Sequence, residues 1–378
     1  MLAKKPPMGW NSWNTFGEDI NEELIMQIAD IIVKEGYKDA GYEYIVIDDC
    51  WSLKERDENG KLVADPKKFP HGMKYLSDYI HEKGLKFGMY SCSGVLTCSG
   101  YPGSYGHEFE DAQTFASWGV DFLKYDYCEF LDSADVKNAF TTMSMALKSS
   151  GREILFSACN WGEKDACKWM RSRSAHMYRS TWDIHDSFES MKNIVMSQVD
   201  NFSMSAPGGF NDIDMLIVGM YGKGNVGIDN GCSDSQYKMH FALWCLFGTP
   251  LMIGADIRNI NEFSKNLLLN KELISINQDE ENRPPYLIST NYWTSEGFPV
   301  FFKHLSDNEY IIAMFNMTDK EKKLYASFVE AGIPAYSNKG FFLTDCFTGK
   351  ELGVFKDLYT CTVDAYDCVI LKGRVVNV

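Results

Sequence analysis

A short apolar run followed by a segment with helical spacing recurs along the first three-quarters of the chain, and this beat limits the fold more than any other feature. Tyr44-Ile45-Val46-Ile47 is a run of strand formers that stops at Asp48-Asp49. Before it, Leu24, Ile25, Ile28, Ile31 and Ile32 fall at helical spacing within 22–35, and Gly36 ends that helix. A second helix is expected over about 73–83, with Leu76, Tyr79 and Ile80 on one face, and a strand over 85–90. Phe115 and Trp118 mark a helix before a strand over 120–125, and a helix over about 135–148 precedes a strand over 154–157. A strand over 176–179, a helix around 188–199, a strand at 209–211, an apolar helix over 237–247 and a strand over 251–254 complete the series. With 9–13 as the first strand, eight strand candidates alternate with helices.

Eight βα units suggest an α/β fold of the (β/α)8 TIM barrel type. The competing doubly wound sheet usually opens on a glycine-rich turn, and the chain carries neither GxGxxG after a first strand nor GxxxxGK[ST]. The beat stops after Ile276-Asn277-Gln278-Asp279, and 280–285 reads as a charged, proline-containing linker. Beyond it the pattern has period two: 300–303, 310–315 and 369–371 read as strands of an antiparallel sandwich. The expected organisation is a (β/α)8 catalytic domain over 1–283 and a smaller C-terminal antiparallel β-sandwich domain over 284–378. A chain of 378 residues suits one large and one small domain.

A net charge of −15 repels nucleic acid and anionic membrane, so neither is an expected partner. No segment reaches the roughly 18 consecutive apolar residues of a membrane helix. The start, Met1 to Pro7, has charges but no apolar stretch behind them, so a cytoplasmic protein is expected, or a secreted one if this start is a mature terminus. Eleven cysteines, an odd count without a CxxC pair, argue against a zinc site or a full disulfide framework. Most are expected to be free thiols.

In a barrel, chemistry lies at the C-terminal ends of the strands. In order these ends carry Trp13, Asp48-Asp49-Cys50-Trp51, Cys92, Asp126-Tyr127-Cys128, Asn160-Trp161, Arg179 to Asp183, Asp212-Ile213-Asp214 and Asp256. Carboxylates gathered on one rim repel one another unless they have ligands, partners or shifted pKa values, which marks the rim as a candidate site. Three chemistries fit: a divalent metal, a catalytic carboxylate pair, or recognition of a polyol's hydroxyls. The seven histidines form no HxH or HExxH, which disfavours the metal, and no cofactor is expected. Gly103-Ser104-Tyr105-Gly106 lacks the context of a nucleophilic serine. Carboxylate-pair catalysis on a polyol remains, and glycoside hydrolysis is its commonest form.

The motifs at these ends resemble those of glycoside hydrolase family 27, the α-galactosidase or melibiase family. They are Pro7-Met8-Gly9-Trp10-Asn11-Ser12-Trp13, the stretch 36–44, Ile47-Asp48-Asp49-Cys50-Trp51, the stretch 64–72, Trp118 to Asp126, and Pro207 to Leu216. The resemblance spans 7 to about 279, and the tail fits the family's C-terminal sandwich by length and position.

The resemblance implies a retaining hydrolase of terminal α-D-galactosides and a set of roles. Asp126 matches the nucleophile and Asp183 the general acid/base, with the two carboxyls roughly 5–6 Å apart. Asp48 and Asp49 match the pair holding the galactose 4- and 6-hydroxyls. Lys124 matches the lysine at the 3- and 4-hydroxyls and Arg179 the arginine beside the 2-position. Trp13 matches the aromatic floor, Asp214 and Met215 line the site, and Cys159, Asn160 and Trp161 lie beside the sugar. Cys98 and Cys128 match a pair that is disulfide-bonded in the family. The substrate would be a small galactoside or an oligosaccharide with terminal α-galactose, and a homo-oligomer stays open.

The chemistry asks that the two carboxyls differ. Lys124, two residues before Asp126 on one strand, is expected to hold the nucleophile's pKa down, and Trp182 to raise that of Asp183 by desolvation. Two alternatives keep the scaffold: an α-N-acetylgalactosaminidase, and a β-L-arabinopyranosidase, whose second rim carboxylate is Glu where this chain has Asp49. A non-catalytic galactose-binding protein would lack Asp126 or Asp183, and both are present.

Overall fold

The computed structural model describes residues 2–288 and 299–378. The chain folds as two compact units: Met1–Gly231 with Pro250–Asn261, and Cys232–Thr249 with Glu262–Val378.

The first unit is a ring of eight parallel strands. They are β1 (Met8–Asn11), β2 (Tyr44–Val46), β3 (Lys86–Cys92), β4 (Phe122–Asp126), β5 (Leu155–Cys159), β6 (Met177–Arg179), β7 (Phe210–Asp212) and β8 (Leu251–Ile253). Each expected strand is found within a few residues of its expected place. Neighbours run β7-β6-β5-β4-β3-β2-β1-β8. The ring joins beyond the end of β7, where Leu216 bridges Ile253 in parallel. Leu216 N donates to Met252 O at 2.8 Å and Gly254 N to Leu216 O at 2.9 Å. Gly9 pairs with Tyr44 across β1 and β2. A Cβ on Gly9 would lie 2.4 Å from the Tyr44 carbonyl, so only glycine permits that approach.

Alternate residues of the strands fill the ring. Tyr44, Val46, Phe122, Leu155, Met177, Met215 and Met252 pack together as its core. Phe122 faces inward, so Lys124 and Asp126 on the same strand face inward too, nearer its C-terminal end. The sequence thus stacks an apolar floor beneath a charged rim.

Three of the longer helices around this ring begin on side-chain caps. In α1 (Glu22–Lys34) the Asn21 side chain accepts from Leu24 N, and Leu24, Ile25, Ile28 and Ile32 are buried. Helices α2 (Gly72–Glu82) and α3 (Glu108–Trp118) follow β2 and β3. α4 (Val136–Ser149) is capped by Asp135 and α5 (Phe188–Ser197) by Ser187. Between β5 and β6 the chain makes only short turns of helix within 163–173.

The second unit holds α6 (Asp234–Phe247), α7 (Glu262–Leu268) and α8 (Lys271–Asn277). Ser233 and Gln236 form a reciprocal cap on α6, whose residues are buried almost all round. That is why α6 packs on α7 and α8 and on a strand of the C-terminal sheet. The strands are β9 (Tyr286–Leu287), β10 (Val300–His304), β11 (Glu309–Asn316), β12 (Lys322–Ser327), β13 (Lys339–Asp345), β14 (Glu351–Phe355), β15 (Leu358–Val363) and β16 (Asp367–Asn377). They form antiparallel sheets ordered β14-β13-β16-β11-β10-β9 and β12-β15. Phe302, Ile312, Met314, Leu324, Phe328, Phe341, Leu343 and Leu371 belong to the core of this sandwich. Among the described residues, no helix is long and apolar enough to cross a membrane.

Candidate active site

The strand ends surround a small cavity of about 70 Å³. Its walls include Trp13, Asp48, Asp49, Lys124, Asp126, Trp161, Arg179, Asp183, Asp214 and Met215, all expected from the sequence. Asn14, Tyr90, Cys98 and Val226 complete it.

Asp48 and Asp49 end the run that forms β2, and both are 2% exposed. Three donors fix Asp48: Asn11 Nδ2 at 2.7 Å and Lys124 Nζ at 2.8 Å on Oδ2, and Asp49 N at 3.0 Å on Oδ1. Asp49 accepts from Cys50 N at 2.7 Å and Ser99 N at 3.0 Å. The Thr97 side chain also hydrogen-bonds to it. An ionised carboxylate has about four acceptor positions, so each has about one left for a hydroxyl.

Asp126 ends β4 almost wholly buried. Tyr127 N donates to its Oδ1 at 3.0 Å and Tyr90 Oη to its Oδ2 at 3.2 Å. Burial pushes its pKa up to about 6; Lys124 opposes this, and Asp48 and Asp183 add to it. The expectation that Lys124 would hold Asp126 down is therefore overturned, because the ammonium is committed to Asp48 and burial dominates. Lys124 itself is raised: burial disfavours its charge, but Asp48 and Asp126 outweigh that.

Asp183 stands in the loop after β6, its side chain 57% exposed at the mouth. Arg179 Nη2 donates to its Oδ1 at 2.7 Å. Burial pushes this carboxyl up, but Arg179 and then Lys124 outweigh it and leave it below the ordinary carboxylate range. The expected elevation by Trp182 is also overturned. The Trp182 ring is 66% exposed and stacks on Trp161, with centroids 5.7 Å apart and planes 5° apart. Arg179 is buried and also lies 3.0 Å from Asp214 Oδ2, while its Nε has no partner. Asp214 is turned inward by a backbone φ of 85° and accepts from Ile184 N and Met215 N at 2.7 Å each.

Two expected residues do not line the cavity. Cys159 is buried at the end of β5. Asn160 turns its Nδ2 to the Glu163 carbonyl at 2.8 Å, leaving its Oδ1 buried without a partner. Cys98 and Cys128 are joined as a disulfide with Cα atoms 5.0 Å apart. Among the described residues, the group with metal-ligand spacing is Cys98, Asp126 and Cys128. Both of its thiols are in the disulfide, which leaves one carboxylate and no basis for a metal centre there. Asn14 and Tyr90 were missed by sequence reasoning, though each is close to a position it chose: Asn14 follows Trp13 after β1, and Tyr90 lies two residues before Cys92 on β3. Val226 comes from the long segment after β7 and gives no local signal.

The arrangement can hold a polyol by fixed carboxylates, and it sets one buried and one exposed carboxyl against a common cavity. The chain as a whole is similar to known proteins in sequence and fold. The family described as alpha galactosidase A matches residues 5–279, and the alpha galactosidase C-terminal β-sandwich domain matches 295–372. The chain is 38% identical to alpha-galactosidase A of Cellvibrio japonicus over 390 residues, covering 98% of this chain and 92% of that one. The crystal structure of alpha-galactosidase I from Mortierella vinacea superposes with a TM-score of 0.91 at 34% identity, covering 98% of this chain and 97% of that one. The alpha-galactosidase of Saccharomyces cerevisiae with raffinose superposes with a TM-score of 0.92 at 28% identity, covering 99% and 98%. With the family models, the relatives, the barrel and the sandwich in agreement, the chain belongs to the melibiase family of α-galactosidases and is a glycoside hydrolase.

Proposed function

We propose that the protein removes terminal α-D-galactosyl residues by double displacement and so releases galactose with its configuration retained. The observation that carries this reading is the placing of Asp126 and Asp183 on one cavity with the Asp48–Asp49 pair.

In this reading Asp126 attacks the anomeric carbon. Its burial and two hydrogen bonds limit the orientations its carboxylate can take. Asp183, at the exposed mouth where a leaving group departs, gives its proton to the glycosidic oxygen and later takes one from water. Asp48 and Asp49 accept from the 4- and 6-hydroxyls with their remaining acceptor positions. Lys124 donates at the 3- and 4-hydroxyls, and Arg179 lies beside the 2-position. Trp13 supplies an aromatic face to the ring's C–H groups.

Proton NMR during hydrolysis of an α-galactoside tests this. The α anomer of galactose should appear first and then mutarotate. If β-galactose appears first, or no galactoside is cleaved, the reading fails.

A further inference from the structure

Between the catalytic cavity and the apolar core of the ring lies a smaller chamber of about 30 Å³. It shares Lys124, Arg179 and Asp214 with the first, and Met177 and Met252 with the second. Ser157 and Asp212 give it further polar walls. A buried water needs roughly 10–15 Å³ of such space and about two to four polar partners, so one or two waters fit.

Arg179 is 4% exposed and is held from one corner of its guanidinium. Its Nη2 lies 2.7 Å from Asp183 Oδ1, 3.0 Å from Asp214 Oδ2 and 3.2 Å from the Thr181 carbonyl. Two hydrogens on one nitrogen thus face three acceptors, while Nε is buried with no protein partner. Leaving such a donor unmet costs about 1–3 kcal/mol, and more when the group is charged. Asp212 is the neighbour that can meet it. It is the partner of Arg179 across β6 and β7, so both side chains turn into the ring. Burial pushes its carboxyl up to about 6, Arg179 opposes this and Asp214 adds to it, so Asp212 is an anion at neutral pH. Asp214 N donates to its Oδ1 at 2.9 Å, and a carboxylate has acceptor positions beyond that one. Nε does not reach it directly.

We propose that a water in this chamber bridges Arg179 Nε to the Asp212 carboxylate, and that Asp212 is thereby a positioning residue for Arg179 and, through it, for Asp183. The proposal rests on the galactosidase reading, in which Asp183 protonates the leaving oxygen. The Ser157 hydroxyl in the same wall gives the water a third partner. A water-mediated bond is nearly as favourable as a direct one, and a tie at Nε fixes the plane of the guanidinium. Asp183 stands exposed at the mouth and accepts from that guanidinium. The anchor beneath the sugar thus sets where the proton donor above it stands.

A high-resolution crystal structure of the wild type should show density in the chamber within about 3.2 Å of both Arg179 Nε and an Asp212 oxygen. Kinetics then separate positioning from mere support of the fold. An α-galactosyl fluoride leaves with little help from an acid, whereas an α-galactosyl-glucose disaccharide needs the proton of Asp183. In Asp212→Leu, kcat/KM should fall about tenfold further on the disaccharide than on the fluoride, as for one lost hydrogen bond to a charged group. Asp212→Asn keeps an acceptor for the water, so its ratio of the two rates should stay within about twofold of wild type. The ratio is read within one sample, so a partly misfolded variant does not mimic the result, and the density needs no variant at all. A chamber without density, density in reach of only one of the two residues, equal losses on both substrates in Asp212→Leu, or a ratio in Asp212→Asn as low as in Asp212→Leu overturns the assignment. A wild type that leaves the fluoride intact overturns the galactosidase reading instead.

Discussion

Arg179 donates to Asp183 at 2.7 Å, and this ion pair reverses the order in which the two site carboxyls hold their protons. Asp126 is raised to about 6 while Asp183 is lowered, so the single proton the reaction needs rests mainly on Asp126. The reactive form, with Asp126 ionised and Asp183 protonated, is the minor tautomer of a singly protonated pair. That pair loses its remaining proton as pH rises through the higher pKa. The kcat/KM should therefore fall as pH rises through about 6. Arg179→Ala removes a positive charge that favours the Asp183 carboxylate, so it should move this alkaline limb to higher pH while lowering the maximum. A pH profile of kcat/KM for both proteins checks the sign.

The two carboxyls should separate under chemical rescue. Asp126→Gly with azide should give β-galactosyl azide, because azide enters from the vacated nucleophile's side. Asp183→Ala with azide should give the α product from a substrate with a good leaving group. Without azide, the Asp183 variant should lose about 10²–10⁴-fold on a sugar leaving group. NMR of the azides reads the configuration.

Gly162 should resist substitution. Its φ is 84°, and a Cβ there would lie 2.2 Å from the Ser180 carbonyl, ahead of the Trp182 that stacks on Trp161. Gly162→Ala should cost about 1–3 kcal/mol in strain, with more from the clash, and should lower galactoside turnover. Thermal melts and kinetics on the same sample report both.

Lys303 should weaken the fold at neutral pH. It is wholly buried on β10, donates to the Leu246 carbonyl at 2.8 Å, and has its pKa lowered by burial to about 8, against the pull of Asp279 and Cys245. A lysine pKa depressed in the folded state makes folding unfavourable below that pKa, and the penalty fades as pH rises towards the unfolded value. Lys303→Met should raise stability near pH 7 by about 1–3 kcal/mol and flatten its rise between pH 8 and 10. Denaturant melts across that range decide it.

Much of this was legible in the sequence, for reasons particular residues show. The strands were readable because a strand inside a ring is apolar at nearly every position, as in Tyr44-Ile45-Val46. The rim was readable because such runs end abruptly on charge, as at Asp48 and Asp126. What escaped depends on distances between strands. In the sequence Lys124 stands two residues from Asp126 and 76 from Asp48; only the folded ring gives its Nζ to Asp48 at 2.8 Å. The expectation for Asp183 failed by weighing Trp182 and not Arg179, four residues earlier in the chain. In the sandwich, β12 and β15 pair across thirty intervening residues and expose about every second side chain, so their apolar signal is half as strong.

The disulfide between Cys98 and Cys128 closes a loop of 30 residues that contains Asp126. Its reduction should cost about 3.6 kcal/mol on the loop-entropy account and loosen the wall that Cys98 gives to the catalytic cavity. Melting with and without a thiol reductant, with Cys128→Ser as control, measures it.

The division of the chain into units has a consequence for its synthesis. The ring's last strand, β8, follows Cys232–Thr249 in the chain, and that stretch belongs to the second unit. A nascent chain therefore emerges with seven ring strands, then a helix whose companions α7, α8 and β16 have yet to be made, and only then the strand that completes the ring. Until the final strand of the sandwich leaves the ribosome, α6 has apolar surface with no lasting place to go. Cutting the chain after the ring is complete would leave it in that unfinished state permanently.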